Sequence, residues 1–350
     1  MSKLAKALSA ASGNSSASSL YVEDVFSTYL YTGNGSNGLA IDNGIDLAGE
    51  GGLVWIKSRS SENHSLATTD QGLSNQLASN LTNGNIAWGN MQSFDSDGFT
   101  LTNAGTTNTN TVDYVSWSFR KAEKFFDIQE YTGTGVARTI AHNLGSVPGC
   151  MIIKRTDLGS ANWFVYHIGI ATPQGYEILL NTTANADTNS NVWNNTAPTD
   201  SVFSIGAGGS PYDWNASGGT YIAYLFASDA GGFGDDEDEN IIKCGSYTGS
   251  GSAGNDVSLG WEPQYLLVKQ TTASGNGWFL FDSMRGVPTG GADAILFAED
   301  SRAELSSERL SFTASGFTLD TTASSTNGSG QTYIYIAIRR PMKTPTAGTE

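Results

Sequence analysis

Apolar residues in this chain come in short runs, about four to eight long, separated by clusters of Gly, Asn, Ser and Thr. Most runs are rich in Val, Ile, Tyr, Phe and Trp, the residues that fit a pleated, half-buried surface. Helical periodicity is nearly absent; short turns are expected only at residues 4–8 and 301–308. Where the pattern is clearest it predicts strands near 257–259, 265–269, 278–281, 294–297, 311–313, 317–319 and 333–338. Their spacing suits two antiparallel sheets packed face to face. The last strand differs from the others. Tyr333, Tyr335 and Ala337 alternate with Ile334, Ile336 and Ile338, so both faces are apolar, as in a central strand covered on both sides.

The same succession of elements occurs three times. It opens with Tyr31-Thr32-Gly33-Asn34-Gly35, Tyr131-Thr132-Gly133-Thr134-Gly135 and Tyr247-Thr248-Gly249-Ser250-Gly251. An apolar strand ending in Lys57, Lys154 or Lys269 follows, and an aromatic strand ending at Arg120, Phe226 or Arg339 closes each copy. The openings recur after 100 and 116 residues, too far apart for a solenoid unit and right for a small domain. The fold expected is therefore all-β: three tandem antiparallel β-sandwich modules at 21–124, 125–234 and 241–342, preceded by a short flexible arm at 1–20. The glycines of the openings are followed by strands rather than a helix, so they read as turn residues and not as a phosphate loop. The three lysines, at strand ends, are expected to pack their stems and send their ammonium groups to water.

Two junctions divide the modules. Residues 121–127 are short and partly apolar, which predicts contact between the first two modules. Residues 231–240 combine glycines with five consecutive carboxylates, which predicts a looser second pair. That acidic run reads as a solvated linker in preference to a calcium loop, whose ligands are usually spaced around a glycine turn.

Charge narrows the partners. With 34 Asp and Glu against 18 Lys and Arg, the formal net charge is -16, which opposes binding to nucleic-acid phosphates or anionic membranes. No apolar run is long enough to cross a bilayer as a helix. Cys150 and Cys244 are expected to be small buried hydrophobes rather than parts of a disulfide framework or metal knuckle.

Catalytic chemistry has little to stand on. The three histidines, His64, His142 and His167, lack Cys or His neighbours at ligand spacing, and there is no nucleophile elbow. Asp70, Asp127, Asp282 and Glu304 are carboxylates a glycan-cleaving enzyme would have to pair, but nothing in the sequence brings two of them together. The expectation is a protein without enzymatic activity, metal or cofactor. Trp88, Trp193 and Trp214 lie in Asn- and Gly-rich connections where no strand pattern demands them. Aromatic rings beside amides and carboxylates stack on sugars, so these three are the candidate ligand-binding residues; the competing role is to pin each loop to its own module.

Four phrases carry a family resemblance: Gly51-Gly52-Leu53-Val54-Trp55-Ile56-Lys57, Phe94-Asp95-Ser96-Asp97-Gly98-Phe99-Thr100-Leu101, His142-Asn143-Leu144-Gly145-Ser146-Val147-Pro148-Gly149 and Tyr333-Ile334-Tyr335-Ile336-Ala337-Ile338-Arg339-Arg340. Together they resemble repeat-bearing structural and tail-fibre-like proteins of the virions of tailed phages, mainly marine ones, and the resemblance runs from about Leu20 onward. It implies a β-rich virion component, in a fibre or appendage, attached to other virion proteins through its N-terminal arm. It further implies a homo-oligomer, with a trimer favoured, and adhesion to host-surface glycan. A capsid decoration or neck protein that binds only other virion proteins is the alternative.

Overall fold

The computed structural model describes residues 19–208, 210 and 214–343. Most of the expected arm, including its helical turn at 4–8, lies outside the described residues. Each repeat builds one large antiparallel sheet with the same strand order. In the first the order is Phe26–Thr32, Asp113–Arg120, Gly52–Ser58, Ser65–Thr68 and Gln76–Leu77. The second sets Phe126–Thr132, Thr220–Phe226, Cys150–Arg155, Trp163–His167 and Tyr176–Leu179 side by side, with Asp187–Thr188 at the edge. The third uses Ile242–Thr248, Thr332–Arg339, Pro263–Gln270, Trp278–Asp282 and Asp293–Phe297, with Leu305–Ser307 at the edge. A smaller sheet of two or three strands covers one face of each. The protein is thus all-β, and all seven strands expected in the third repeat are present. The turn expected at 301–308 is instead the edge strand Leu305–Ser307, because Leu305 and its neighbours pair with Ile295, Ala294 and Asp293.

The recurring opening phrase is explained by an asparagine clamp. Asn108, Asn215 and Asn327 are fully buried, each six residues before the first tyrosine of its closing strand. Their Oδ1 atoms accept from Asn34 N (2.8 Å), Thr134 N (2.9 Å) and Ser250 N (2.9 Å), the residue between the two glycines of each opening. Each Nδ2 donates to two carbonyls, those of Ser36 and Thr102, Val136 and Gly206, or Ser252 and Thr321. The first glycine of each opening runs so close to the opposite chain that a Cβ would lie 2.2 Å from the carbonyl oxygen of Thr109, Ala216 or Gly328. The tyrosines stack in pairs, Tyr31 on Tyr114, Tyr131 on Tyr221 and Tyr247 on Tyr333, with centroids 4.9–5.1 Å apart.

The closing strands explain how the modules assemble. Tyr333, Tyr335 and Ala337 face the third module's own sandwich core, whereas Ile334, Ile336 and Ile338 join a second core shared by all three modules. Trp55, Trp117 and Phe119 of the first module, Tyr224 and Phe226 of the second, and Tyr265 and Leu267 of the third meet there. Edge-to-face contacts between Trp117 and Tyr265 (5.9 Å) and between Phe119 and Phe226 (5.7 Å) link the modules. Free cysteines Cys150 and Cys244 are buried in this core, as small hydrophobes should be.

The modules close into a ring in which one set of contacts is made three times in cyclic order. Register places His64, Trp163 and Trp278 at equivalent positions, just opposite the recurring lysines. Trp163 Nε1 donates to Leu81 O of the first module (3.0 Å), Trp278 Nε1 to Leu179 O of the second (3.0 Å), and His64 Nε2 to Phe297 O of the third (2.8 Å). Main-chain bonds repeat the cycle: Asn85 N to Thr156 O (2.7 Å), Ala186 N to Thr271 O (3.0 Å) and Glu304 N to Arg59 O (2.9 Å).

Two expectations need correction. The junction at 231–240 does not loosen the second pair: Phe233 is buried in the shared core against Phe125, and Asn240 Oδ1 accepts from Gly231 N (2.8 Å). Its five carboxylates are exposed, with Asp235 accepting from the Tyr21 hydroxyl and Glu239 paired with Arg339. The recurring lysines do not reach water either. All three are fully buried beneath the loops that follow their strands. Lys57 donates to Ser58 O and Ser60 O, Lys154 to Ala161 O and across the seam to Thr82 O, and Lys269 to Asn276 O. Burial lowers their pKa values to about 8, 7 and 8 respectively.

Because the three modules share one core, the full chain is expected to unfold in a single calorimetric transition. Residues 241–342 expressed alone should fail to give one, since the face carrying Leu267, Ile334 and Ile336 would be bare; independent folding of that fragment would show that the shared core is dispensable.

The ring is also acid-sensitive. His64 Nδ1 accepts from Trp55 Nε1 (2.8 Å), and His167 donates from Nε2 to Tyr335 O (3.0 Å) while Nδ1 accepts from Gly169 N (3.0 Å). Protonation would set N–H against N–H, and burial lowers the two pKa values to about 3 and 4. Between about 6.5 and 4 the unfolded chain binds protons that these two folded histidines refuse, so their contribution to stability is complete above 6.5 and falls as pH drops through that window. Urea titrations at pH 7, 5.5 and 4.5 should show the loss, and His167→Gln should flatten part of it.

Candidate functional site

The three loop tryptophans have different fates. Trp193 is buried, donates from Nε1 to Tyr176 O (3.1 Å) and packs edge-on against Tyr166. Trp214 is buried, donates to Gly206 O (3.3 Å) and packs edge-on against Phe164. Neither offers a ring face to a sugar; both pin Asn-rich connections onto the second module because burying an indole outweighs leaving it in water. Trp88 alone is half-exposed.

The carboxylates are also sorted by the fold. Asp282 and Glu304 are locked around Arg285: Asp282 Oδ2 accepts from Arg285 Nε (2.6 Å) and from Trp117 Nε1 (3.1 Å), and Glu304 bonds both Arg285 (3.3 Å) and Arg59 (2.6 Å). This network seals the seam between the third and first modules. Asp70 and Asp127 instead come together along an open seam between the first and second modules.

That seam holds a recess in two parts. One part, about 500 Å³, is lined by Asp70, Gln71 and Asn85 from the first module and by Glu130, Thr156 and Thr220 from the second. It continues past Asp70 and Glu130 into a second part of about 490 Å³ beside Lys121, Glu123 and Asp127. The first-module side is the loop after Ser65–Thr68 and the segment after Gln76–Leu77; the second-module side is the opening strand Phe126–Thr132 and the start of Thr220–Phe226.

Its polar groups are partly committed. Lys121 Nζ lies 3.0 Å from Asp70 Oδ1. Gln71 Nε2 donates to Asn85 Oδ1 (3.1 Å), and the hydroxyls of Thr156 and Thr220 bond each other (2.7 Å). Asp127, almost fully buried, accepts from Asn143 N (2.7 Å) and Gln129 Nε2 (2.8 Å). Burial, and then the charge of Asp70, raise the pKa of Glu130, while Lys121 opposes the shift. Among the described residues, no group of three or more His, Cys, Asp or Glu side chains is placed to hold a metal ion, and no helix is long and apolar enough to cross a membrane.

Fold and seam define an all-β, tandem-repeat protein whose three modules close into a ring with an open polar seam between the first and the second. The chain belongs to the family described as Domain of unknown function (DUF7483), whose model matches residues 22–341. No curated protein and no solved structure matches the chain.

Residues such as Gln71, Asn85 and Glu130 carry no signal in the linear sequence, because they meet only across a module boundary. The buried asparagines did leave one: Asn108, Asn215 and Asn327 recur at a constant distance before Tyr114, Tyr221 and Tyr333.

The electrostatics of the seam can be checked by carboxyl NMR. Glu130 should titrate above the ordinary glutamate range, Asp70→Asn should lower its pKa and Lys121→Met should raise it; insensitivity to both changes would place Asp70 and Lys121 too far away to matter.

Proposed function

We propose that this protein is a structural component of a tailed-phage virion, part of a tail fibre or appendage that adheres to host-surface glycan. The arm at 1–20 attaches it to other virion proteins, and the assembled state is a homo-oligomer, a trimer being favoured. The observation that carries this reading is the closure of three repeats around one shared core, which yields a rigid building block rather than a flexible string of domains. The open seam, lined by carboxylates, amides and hydroxyls, supports the adhesive part. The resemblance of the repeat phrases to virion proteins points the same way.

A second reading, a capsid decoration or neck protein, draws support from a different observation. The start and end of the described chain meet at one corner, where Glu23 accepts from the main-chain N–H groups of Met342 (3.0 Å) and Lys343 (2.6 Å). A body held by one corner suits a decorating module as well as a fibre element.

Immunogold labelling of intact virions with antibody against the full chain separates the two. Gold on tail appendages is the expected result. Gold spread over the head would overturn the fibre reading in favour of decoration, and unlabelled virions would remove both.

A further inference from the structure

The seams of the ring are equivalent by register, yet among the described residues the seam between the first and second modules holds a recess where the equivalent positions of the other two are filled. Asp70 and Gln71 of the first module occupy the positions of Gly169 and Ile170 in the second and of Met284 and Arg285 in the third. Asn85 likewise corresponds to Ala186 and Glu304, as the shared main-chain bonds show. Between the second and third modules, Gly169 lies so close to Gly245 that a Cβ would come within 2.6 Å of its carbonyl oxygen, and Ile170 packs against the shared core. Between the third and first modules, the Arg285 and Glu304 ion pair fills the space and Arg285 lies over the Trp117 ring (5.6 Å). Between the first and second modules, the same two positions hold the smaller, neutral pair Gln71 and Asn85, and a recess remains.

The recess also contains unspent polar capacity. Gln71 Oε1 is buried without a hydrogen-bond partner. The hydroxyl of Tyr224, a side chain 2% exposed whose ring stacks on Phe126 and Trp163, is also buried without a partner, but in the shared core and not among the residues that line the recess. A buried polar atom without a partner is unfavourable, and a ligand or water that supplies the missing bond relieves it. The other two modules place Trp117 and Ile336 at the position of Tyr224. Trp117 spends its N–H on Asp282, and Ile336 has none to spend.

We infer that the seam between the first and second modules is a saccharide-binding site selective for neutral or amine-bearing sugars. The inference rests on the adhesive reading above and assigns it a place. A sugar presents closely spaced hydroxyls that both donate and accept. Asp70, Glu130 and Gln71 Oε1 offer acceptors, the Asn85 amide offers donors, and each part of the recess falls in the roughly 300–1,000 Å³ range of ligand clefts. Selectivity follows from charge. Glu50, Asp70, Glu123, Asp127 and Glu130 line the recess with Lys121 as their counter-charge, so uronates, sialosides and sulfated sugars are repelled while an amino sugar is drawn in.

The test is a glycan array carrying neutral, amine-bearing and anionic oligosaccharides, probed with the full chain and with three variants. Glu130→Gln removes a charge from the seam. Gln71→Arg with Asn85→Glu installs the pair that fills the equivalent seam between the third and first modules, so it closes the recess with residues the ring already accommodates. Trp88→Ala tests the remaining loop aromatic. The expected result is binding to neutral or amine-bearing glycans that the filled-seam variant reduces at least tenfold and Trp88→Ala leaves within twofold, with Glu130→Gln weakening the amino sugars most; unchanged melting of each variant shows it is folded. Absence of binding across the array, binding confined to anionic glycans, or binding lost with Trp88→Ala and kept in the filled seam would each overturn the inference. Gold on tail appendages combined with a silent array would leave the appendage reading standing and remove only the site.

Discussion

The structure depends on the second apolar face of each large sheet. One face is covered within its own module, where Phe317 and Leu319 of the small sheet pack on Phe281 and Tyr335 of the large one in the third repeat. The other, carrying Trp55 and Trp117 in the first module, Ile222 and Tyr224 in the second and Leu267 and Ile336 in the third, has no cover inside the repeat that makes it. At about 25 cal/mol per Å² of apolar surface, leaving several aromatic and branched side chains in water costs far more than joining the modules loses in chain freedom. Three such faces turned toward one another bury all of them at once, and that closure sets the direction of every seam.

Within each module the local problem is different, and the same device solves it three times. The opening strand must pass close to the connection before the closing strand, leaving buried main-chain N–H and C=O groups that a sheet ladder does not reach. A buried asparagine supplies one acceptor and two donors at that point, which is the inventory such a crossing requires. Glycine at the nearest approach leaves room for the opposite carbonyl, and the stacked tyrosines cover the crossing. The Tyr-Thr-Gly-x-Gly phrase is therefore a packing signature, and its recurrence says nothing about phosphate or any other ligand.

Repetition makes the differences between seams informative. Backbone geometry offers each seam the same positions, so side-chain identity decides whether a seam is filled by contact between main chains, by an ion pair or not at all. Gln71 and Asn85 form a shorter, neutral pair where Arg285 and Glu304 form an ion pair, and the recess lies at that difference. The buried histidines show the same divergence. His64 replaces a tryptophan of the other two repeats and makes the equivalent bond, but it brings a basic nitrogen into a site where tryptophan has none.

Much of the fold was legible in the chain. Alternation of apolar and polar residues identified the strands of the third repeat, and apolar mass on both faces of residues 333–338 marked the closing strand as a covered one. What alternation cannot say is what does the covering, since a neighbouring sheet, another module and a second chain all leave the same pattern. Lys57, Lys154 and Lys269 illustrate the limit: a lysine at a strand end suggests a stem packed below water, and only the loop folded over it shows that the ammonium is held by carbonyls instead. Trp193 and Trp214 looked available because Asn and Gly surround them, whereas their burial depends on residues distant in sequence. The sequence by itself determined the all-β class, the three repeats and their strands, because those follow from local periodicity and turn chemistry. Only the tertiary structure decided the ring, its shared core and the open seam, because these arise where residues 71 to 245 positions apart meet across module boundaries.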